Sequence, residues 1–530
     1  MKRWNGWGDT SVTPHLAPAA QQMLVELIGE GSPVEDCSPE TILKQMPVSR
    51  LPDHPLVSKK GMDRLCHARG QSLPDWVALR SGQLGDCPDG VAFPSSTEAL
   101  RELISYAQNC GAKIIPYGGG TSVVGHLTPP AGDAPVLTVS LADLNRLVNF
   151  NGVNRLATFQ AGVRGPELEA ALRETGHTLG HYPQSFEYST LGGWVVTRSS
   201  GQQSLGYGRI EEMFAGGRVL TPVGDLVMPP LAASAAGPDL RHLVLGSEGR
   251  MGILDEVTVR VRPLPELECF HALFFPNWEL AETAVRQLAQ SGLQLSMMRL
   301  SNAVETQTNL LLAGKEKMVG YLKQFLQLRK VKEEGCMLLA GFTGSKAQVR
   351  FNRSKALDIC RANRGVHVFK TLGNAWNKNR FKAPYLRNTL WAMGYAADTL
   401  ETCVSWDKTT QTVTELEQAL GTALDPFGEK IHVFTHLSHF YNSGCSIYTT
   451  YLFRPGITPE ETLNRWSALK NAAGKVIVKQ GGTISHQHGV GTDHRPWLIH
   501  EKSSLGLQTM SRVWEHFDPH SMMNPGKLVD

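Results

Sequence analysis

The sequence lacks an excess of charge of either sign. Its 530 residues include 52 Lys and Arg against 49 Asp and Glu, which gives a formal net charge of +3. No block of basic residues stands out in any part of the chain. Proteins that bind nucleic acid carry clustered Lys and Arg to neutralise phosphates. Nucleic acid is therefore not an expected partner.

Long hydrophobic runs are also missing. No segment approaches the roughly 20 apolar residues that a transmembrane helix needs. The first residues, MKRWNGWGDTSV, are partly basic, but no apolar stretch follows them, so we expect no secretory signal. The last residues, KLVD, differ from the SKL-type peroxisomal address. These features predict a cytoplasmic protein.

Closely spaced cysteines are absent. The nine cysteines are scattered singly between Cys37 and Cys445, and none belongs to a CxxC pair. Zinc ribbons and disulfide scaffolds use recognisable cysteine spacings. The pattern therefore argues against both and indicates a reducing compartment.

Length and composition are typical of a globular protein with several domains. Hydrophobic residues make up 41% and charged residues 19% of the chain. Its 530 residues exceed what one hydrophobic core usually supports. We predict a partly helical N-terminal extension at 1–85, an α+β domain at 86–265, a second domain of strand-then-helix units at 266–475 and a C-terminal segment at 476–530.

Local patterns predict secondary structure in the α+β domain. Residues 95–111 predict a helix with a Ser or Thr cap, a closing glycine and one apolar stripe. The stripe consists of Leu100, Leu103, Ile104 and Ala107. KIIPY, VLTVSL and RLATFQAG predict strands, and PELEAALRETG predicts a helix. Residues 253–262 alternate valine with polar residues, which predicts a half-buried strand that ends at Pro263.

Three consecutive glycines follow the predicted strand KIIPY. They leave the backbone N–H groups of the loop able to surround an anion, and two hydroxyl side chains add donors. The loop has neither the GK[ST] of a Walker A motif nor a GxGxxG fingerprint. A pyrophosphate site and a flexible turn are both compatible with it.

Two further segments combine glycine with small polar residues. Residues 183–208 are rich in Ser, Thr and Gly but carry Trp194 and two valines, so we expect the segment to cross the interior. Many small polar groups in the interior indicate a bound polar ligand, although a capped turn in the core has the same composition. Residues 243–261 form a glycine-containing loop that leads into a strand, and Glu248 can accept hydrogen bonds there.

Two histidines, His486 and His488, flank Gln487 in the stretch GTISHQHGVG. On an extended segment, alternate residues project to one side, so both histidines are predicted to face one cavity. A metal site would need a third ligand, and none with recognisable spacing is evident nearby, so no metal is predicted. Imidazoles beside a reacting group can instead relay protons near neutral pH.

The three glycine-containing segments, in this order and spacing, resemble the FAD-binding domain of the vanillyl-alcohol oxidase and p-cresol methylhydroxylase (PCMH-type) flavoprotein superfamily. The resemblance implies an α+β fold with a PCMH-type FAD-binding domain at 86–265, an α/β cap domain for the substrate at 266–475, and a C-terminal segment that returns to the flavin. The implied FAD contacts are Pro116, Tyr117, Gly118, Gly119, Gly120, Thr121, Ser122, Gln184, Ser185, Ser189, Thr190, Gly193, Thr197, Arg198, Ser199, Ser200, Glu248, Gly249, Gly252 and Ile253.

The resemblance also bears on how the cofactor is attached. Some members of the superfamily link the flavin covalently to a histidine in the glycine loop. Thr121 and Ser122 occupy that stretch here, so we expect non-covalent FAD. A covalent role for His126, a few residues further on, is the alternative.

A closer resemblance, to the alkyldihydroxyacetonephosphate synthase (alkylglycerone-phosphate synthase) family, covers nearly the whole chain. The similar segments are RWNGWG, RLCHARGQSL, SMMRLSNAVE, APYLRN, LETCVSWDK, CSIYTTYLFR and SHQHGVG. That family makes ether lipids: it exchanges the acyl group of acyl-dihydroxyacetone phosphate for a fatty alcohol without net redox, while flavin N5 holds the substrate carbon. The resemblance implies that Arg387 binds the substrate phosphate, and that the catalytic residues are Tyr448, His486, His488 and Arg299.

One position departs from that family, which has three consecutive histidines where this chain has Gln487 in the middle. Two rivals therefore stay open: an FAD-linked oxidase or dehydrogenase of a 2-hydroxy acid (D-lactate or glycolate type) or an alcohol, with His488 as base, and a flavin-binding protein without catalysis of its own. Retained Arg387 and Tyr448 favour the synthase reaction. The resemblance further implies a phosphorylated lipid substrate, a homodimer and peripheral membrane contact.

Overall fold

Helices make up most of the regular secondary structure of the N-terminal region in the computed structural model, which describes residues 2–314 and 316–529. Its elements are α1 (Pro18–Ile28), α2 (Pro39–Gln45), β1 (Val57–Ser58), α3 (Gly61–Cys66) and α4 (Leu73–Ser81). Helix α1 packs on the second domain, where Leu24 and Ile28 share a buried apolar cluster with Tyr395 and Leu452. Strand β1 pairs instead with the first domain. The N-terminal region is thus fixed to both.

Two main sheets form the first domain. Its elements are β2 (Gly90–Ala92), α5 (Thr97–Cys110), β3 (Lys113–Tyr117), β4 (Val136–Ser140), β5 (Leu147–Asn151), β6 (Leu156–Gln160), α6 (Gly165–Glu174), β7 (His177–Thr178), α7 (Leu191–Val196), α8 (Ser204–Tyr207), α9 (Ile210–Met213), β8 (Phe214–Thr221), β9 (Gly224–Met228), α10 (Arg241–Val244), β10 (Ile253–Arg260) and β11 (Arg262–Pro263). One sheet has the order β1-β2-β4-β3, with β4 parallel to β2 and β3. The other is antiparallel, in the order β5-β6-β10-β8-β9.

The predicted helix at 95–111 is present as α5. The Ser96 side chain accepts a hydrogen bond from the Ala99 N–H, and the helix ends at Gly111, whose φ of +68° favours glycine. The predicted strand at 253–262 needs correction, because β10 ends at Arg260 and the chain then pairs with β7 as β11.

The second domain is built on one seven-stranded sheet, antiparallel throughout, in the order β15-β12-β14-β13-β17-β18-β16. Its elements are β12 (Leu267–Phe275), α11 (Trp278–Gln290), β13 (Met297–Ser301), α12 (Ala303–Leu312), α13 (Glu316–Leu328), β14 (Cys336–Gly344), α14 (Lys346–Ala362), β15 (Val366–His367), α15 (Thr371–Asn379), α16 (Leu386–Ala392), β16 (Ala396–Ser405), α17 (Trp406–Ala423), β17 (Ile431–Phe440) and β18 (Gly444–Phe453). We call this the cap sheet.

The C-terminal segment returns to the first domain after α18 (Pro459–Gln480) and α19 (Ile499–Phe517). Ile114 in β3 donates its N–H to the Met522 carbonyl, and Asn524 donates its N–H to the Ile114 carbonyl. One apolar core runs through both domains and includes Phe159 and Tyr451. Within the described residues, the longest helices remain too short or too polar to cross a bilayer.

Candidate active site

A cavity of about 520 Å³ lies where the cap sheet faces the first domain. The first domain contributes the glycine loop after β3, the segment around α7 and the turn before β10. The second domain contributes side chains from β13, β16, β17 and β18, and α1 closes one end. Both domains therefore build the site.

The glycine loop packs so closely that side chains would not fit. A Cβ on Gly119 would overlap the Tyr188 carbonyl oxygen, and a Cβ on Gly118 would overlap the Thr190 hydroxyl. Gly120 adopts a φ of +71°, which favours glycine. The loop lines the cavity with its backbone, as a cradle for an anion requires.

The next segment crosses the interior, as expected for residues 183–208. Trp194 is 2% exposed, and its indole N–H donates to Ser189 Oγ at 2.7 Å. Ser200 lines the cavity, and its buried hydroxyl has no hydrogen-bond partner among the described residues. A bound polar ligand would satisfy that hydroxyl.

Most residues expected to contact the cofactor line this cavity. Two do not: Arg198 forms an ion pair with Glu211 at 2.8 Å, and Ile253 is fully buried in the core. The residues that line it are Pro116, Tyr117, Gly118, Gly119, Gly120, Thr121, Ser122, Gln184, Ser185, Ser189, Thr190, Gly193, Thr197, Ser199, Ser200, Glu248, Gly249 and Gly252. Glycine backbone donors suit a pyrophosphate and the small hydroxyl side chains suit the polar edge of a flavin, so this wall fits FAD.

The stretch expected to be extended is instead an irregular loop, residues 484–491, which we call the histidine loop. Glu401, fully buried in β16, accepts hydrogen bonds from the Gln487 and His488 N–H groups at 2.5 and 2.6 Å. The reason for the difference is local: these two N–H groups bond to one carboxylate and not to a neighbouring strand.

The far end of the histidine loop is held by Glu248. Its carboxylate accepts hydrogen bonds from the Val490 and Gly491 N–H groups at 2.6 and 2.9 Å. Gly489 has a φ of +85°, and a Cβ there would overlap the His126 ring. Gly489 is therefore required by this close approach.

His486 and His488 do not face one cavity, which corrects the expectation from their spacing. The loop is not extended, so the alternation of a strand does not apply. His488 lines the cavity. His486 is buried elsewhere, with Nε2 2.6 Å from the Tyr441 hydroxyl and 2.8 Å from Nη1 of Arg209. Across the described residues, no cluster of three or more His, Cys, Asp or Glu is arranged to hold a metal.

One face of the cap sheet forms the opposite wall. Directly paired residues of antiparallel strands project to the same face, and Tyr448 pairs with both Glu401 and His436. On each of these strands, alternate residues line the cavity, and their side chains change from polar at one end to apolar at the other. The lining residues in this direction are Thr399 and Ala397 in β16, His436 and Phe434 in β17, and Tyr448, Thr450 and Leu452 in β18.

Tyr448 lies at the polar end of this gradient. Its ring stacks on His436 with centroids 4.9 Å apart and meets the His488 ring edge-on at 5.6 Å. Its hydroxyl donates to Thr399 Oγ1 at 3.1 Å. Burial raises the pKa of Tyr448 to about 12, so the phenol is neutral at physiological pH. It can donate a proton there.

Arg299 enters the same region from β13. Its Nη2 lies 2.7 Å from Oε1 of Glu305, and that oxygen lies 2.9 Å from Nδ1 of His436. Burial alone would raise the pKa of Glu305, but His436 and Arg299 hold it well below the usual range. The carboxylate is therefore charged and fixes both neighbours. Sequence reasoning missed Glu305, because Asn302-x-x-Glu305 has the pattern of an ordinary helix cap.

Arg387 approaches the cavity from α16. Its guanidinium lies over the Trp76 ring at 4.4 Å, and Nη1 donates to the Gln71 carbonyl at 2.8 Å. Its Nη2 is buried and has no hydrogen-bond partner among the described residues. Burial lowers the pKa of Arg387 from its ordinary value, but a guanidinium remains charged in proteins. A buried cation with an unused donor suits an anionic group of a ligand.

The apolar end of the cavity is closed by residues from three parts of the chain. They are Leu16, Ala20, Met23 and Leu24 near α1, Leu312 at the end of α12, and Leu390 in α16. Sequence reasoning placed no site residue in the N-terminal region, because an amphipathic helix that covers a ligand has the same pattern as one that covers a core. The cavity therefore has a polar end, near Tyr448 and Arg299, and an apolar end at α1.

Comparison with known families agrees with this architecture. Residues 88–228 match the FAD binding domain family, and residues 264–528 match the family of FAD linked oxidases, C-terminal domain. Fold and site define an FAD-dependent enzyme of the FAD-linked oxidase class. Alkyldihydroxyacetonephosphate synthase of Dictyostelium discoideum is 31% identical over 478 residues, which cover 88% of this chain and 77% of that protein. The chain belongs to the alkyldihydroxyacetonephosphate synthase family.

Solved structures support the same fold. A structure of alkyldihydroxyacetonephosphate synthase matches with a TM-score of 0.85 at 27% identity and covers 99% of this chain and 98% of that chain. A structure of p-cresol methylhydroxylase matches with a TM-score of 0.69 at 14% identity, covering 90% of this chain and 94% of that one, and shows the fold alone. The predicted PCMH-type α+β fold and the family resemblance are confirmed.

Proposed function

We propose that this enzyme forms the ether bond of ether lipids, by exchanging the acyl group of an acyl-dihydroxyacetone phosphate for a fatty alcohol. One observation carries the proposal: a single cavity joins a flavin cradle, a buried arginine with an unused donor and an apolar end. These three parts match the cofactor, the phosphate and the hydrocarbon chain of the substrates. A small, fully polar 2-hydroxy acid would leave the apolar end without a ligand.

Arg387 is the proposed phosphate ligand. Its Nη1 contact and the Trp76 ring hold the guanidinium in place, which leaves Nη2 available to the substrate. A guanidinium already fixed by stacking loses little conformational freedom on binding a phosphate. Arg387 lines the same cavity as the wall that fits FAD, and FAD, when bound, would supply reversible covalent chemistry at the substrate carbon.

Proton transfer is assigned to the polar end of the cap sheet. In the exchange, the bond between the substrate carbon and the acyl oxygen breaks, and the carboxylate leaves with the electron pair. The alcohol oxygen then bonds to that carbon and loses its proton, so no electrons are gained or lost overall. Tyr448 and His488 are the proposed acid/base groups, and both line the cavity. Arg299, which Glu305 fixes, is the group proposed to stabilise the negative charge that develops on the leaving carboxylate.

We propose that FAD is bound non-covalently. A covalent link through His126 would require a ring nitrogen without another partner. Nδ1 of His126 lies 2.7 Å from Ser122 Oγ, and Nε2 lies 3.0 Å from Oε2 of Glu248. Nδ1 is thus hydrogen-bonded within the protein, and a carboxylate oxygen lies beside Nε2, which has no partner in hydrogen-bonding geometry among the described residues. Denaturation with acid should release all flavin into the supernatant; flavin that stays with the precipitated chain would contradict the proposal.

Peripheral membrane contact is proposed for α13, which follows the cavity-lining end of α12. Met318, Tyr321, Phe325 and Leu328 lie on one helical face and are exposed. We expect Phe325→Glu to weaken co-sedimentation with anionic phospholipid vesicles. Val153→Glu, which changes an exposed apolar residue in a loop of the first domain, is the matched control and should leave co-sedimentation unchanged. Equal binding of both variants would contradict the assignment of α13.

Two further proposals concern location and assembly. The protein is proposed to act at the cytoplasmic side of a membrane, because the nine cysteines, all within the described residues, are unpaired. A homodimer is also proposed, and sedimentation velocity at several protein concentrations tests it. A single species with the 58.1 kDa mass of one chain would contradict the dimer.

The function itself is tested with FAD-loaded protein under anaerobic conditions. Mixed with a long-chain acyl-dihydroxyacetone phosphate and a fatty alcohol, it should release ether product and fatty acid in equal amounts. D-lactate or glycolate should leave the flavin oxidised. Flavin bleaching by either 2-hydroxy acid, without ether formation, would instead support the oxidase. Protein that cannot be loaded with FAD would reject both functions.

A further inference from the structure

We propose that Glu401 and Arg209 are positioning residues that hold the histidine loop from opposite sides, with His486 packed between them, and so keep the His488 imidazole in the cavity. The proposal rests on the proposed function where activity is measured, but not where the imidazole itself is observed. It gives His486 a supporting role in place of direct contact with the substrate.

Glu401 holds one side of the loop. It accepts two consecutive N–H groups, those of Gln487 and His488, and its Oε1 lies 3.7 Å from Nδ1 of His488. Its position is set by the cap sheet, where Glu401 pairs directly with Tyr448. The carboxylate thus places the His488 backbone and ring relative to Tyr448. A charged residue that is fully buried in a strand is rare without such a task.

Arg209 holds the other side. It lies just before α9 in the first domain, and its Nη2 donates to the carbonyl oxygens of His486 and Arg198 at 3.0 and 3.1 Å. The Arg198 carbonyl belongs to the segment that lines the cavity on the flavin side. One guanidinium therefore ties the flavin-side segment to the histidine loop. Arginine suits this task because its donors form a planar, rigid fork.

The protonation of His486 follows from Arg209. A guanidinium can only donate, so Nε2 of His486, 2.8 Å from Nη1, accepts and carries no proton. The neutral ring therefore has its proton on Nδ1, which lies 3.9 Å from Oε2 of Glu401. Burial lowers the pKa of His486 well below its ordinary value, which agrees with a neutral ring. Arg209 thus places the proton of the neutral His486 ring on Nδ1, the nitrogen on the side of the Glu401 carboxylate.

Several charged or titratable groups around His488 interact with it electrostatically or through a ring contact. They are Glu401 and Asp398 in β16, Tyr448 in β18, Lys470 in α18, His126 after the glycine loop, His486 in the histidine loop and His494 after it. Burial lowers the pKa of His488, and Glu401 opposes that change. Loss of the Glu401 charge should therefore lower the pKa of His488 further.

The main test is Glu401→Gln in the FAD-loaded full chain. Glutamine keeps the size and an oxygen acceptor for the two N–H groups but removes the charge. We expect kcat to fall about 10- to 100-fold, the range seen when an orienting partner of a functional histidine is removed, with KM nearly unchanged. The acidic limb of the kcat–pH profile should move to lower pH. Arg209→Lys should also lower kcat, because lysine lacks the planar fork of donors of a guanidinium.

A second measurement does not depend on the substrate. Histidine labelled with ¹³C at Cε1 gives a resonance for His488 that His488→Asn identifies by its loss. In Glu401→Gln this resonance should shift and titrate at lower pH. Glu429→Gln and Arg454→Lys, which alter the Glu429–Arg454 ion pair (2.7 Å) away from the cavity, are the matched controls and should leave both readouts unchanged.

The outcomes separate the two proposals. If Glu401→Gln behaves like Glu429→Gln in kcat, pH profile and the His488 resonance, the positioning role is overturned. If it lowers only the melting temperature, Glu401 is merely structural and the proposal is also overturned. If the wild-type enzyme forms no ether but the His488 resonance shifts as expected, the positioning role stands and the proposed function falls.

Discussion

The two walls of the cavity differ in the kinds of groups that they offer to a ligand. The wall from the first domain is made of glycine backbone and small hydroxyl side chains, and a Cβ on Gly118 or Gly119 would collide with the segment behind it. The wall from the cap sheet is made of long side chains, such as Arg299 and Tyr448, that reach the cavity from regular strands. The first wall suits a cofactor that stays, and the second suits groups that exchange protons and substrates. The contrast predicts that substitutions in the first wall abolish cofactor binding, while those in the second spare it.

The largest effect is expected for Gly119→Val. A side chain there would collide with the Tyr188 carbonyl, which cannot move without displacing the neighbouring segment. We expect the purified variant to contain no flavin and to melt at a lower temperature than the wild-type protein. The ratio of the visible flavin absorbance to the absorbance at 280 nm measures the bound flavin, and it should be about 0 in the variant. Gly320→Ala is the control, because a Cβ on this helical glycine meets no other atom. Full flavin content in Gly119→Val would contradict the assignment of the glycine loop to cofactor binding.

Tyr448→Phe changes the wall formed by the cap sheet and should cause the second-largest loss, which is a loss of kcat. The variant retains the ring that stacks on His436 but loses the proton donor. We expect kcat to fall about 100- to 10,000-fold, the range for loss of a general acid or base. Flavin content should equal that of the wild-type protein. An active variant, or one without flavin, would break the distinction between the walls.

Arg387→Ala should act on substrate binding. Hydrogen bonds to charged groups contribute about 1.5–3 kcal/mol, so KM for the acyl-dihydroxyacetone phosphate should rise about 10- to 100-fold. The KM for the fatty alcohol, which has no phosphate, should stay nearly constant. If both values rise together, the variant has distorted the cavity, and the assignment of Arg387 to the phosphate is not supported.

The smallest effect is expected at the apolar end. Leu452→Phe adds volume where β18 reaches the residues near α1. Each methylene group in an apolar pocket contributes about 1–3 kcal/mol to selectivity, so the variant should prefer a shorter alcohol by about tenfold. Rates with a series of alcohols measure this shift. An unchanged preference would mean that the hydrocarbon chain of the alcohol does not bind at this end of the cavity.

The first wall could be predicted from the sequence because its parts are short and contiguous. PYGGGTS carries its cradle within seven residues, and the buried Trp194 marks the next segment as interior. Of the residues expected to contact the cofactor, Arg198 and Ile253 do not line the cavity. Neighbouring residues in a tight turn point in different directions, so membership of a motif does not ensure contact with the cavity.

The second wall could be predicted only in part, because its geometry depends on residues far apart in the chain. The family resemblance predicted four residues that line the cavity: Arg299, Arg387, Tyr448 and His488. The partners that fix them come from elsewhere: Glu305 is 131 positions from His436, and Glu401 lies 87 positions from His488. No local pattern encodes such pairs. A buried acid within the apolar strand LETCV was the available signal for Glu401.

The proposed exchange reaction depends most on where the ether oxygen originates. Wild-type enzyme loaded with FAD, mixed anaerobically with an acyl-dihydroxyacetone phosphate and an ¹⁸O-labelled fatty alcohol, provides the direct measurement by mass spectrometry of the products. The exchange predicts that the ether carries the label, that the released fatty acid carries none, and that the flavin ends in its oxidised form. A labelled fatty acid, or flavin that stays reduced without any ether product, would contradict it.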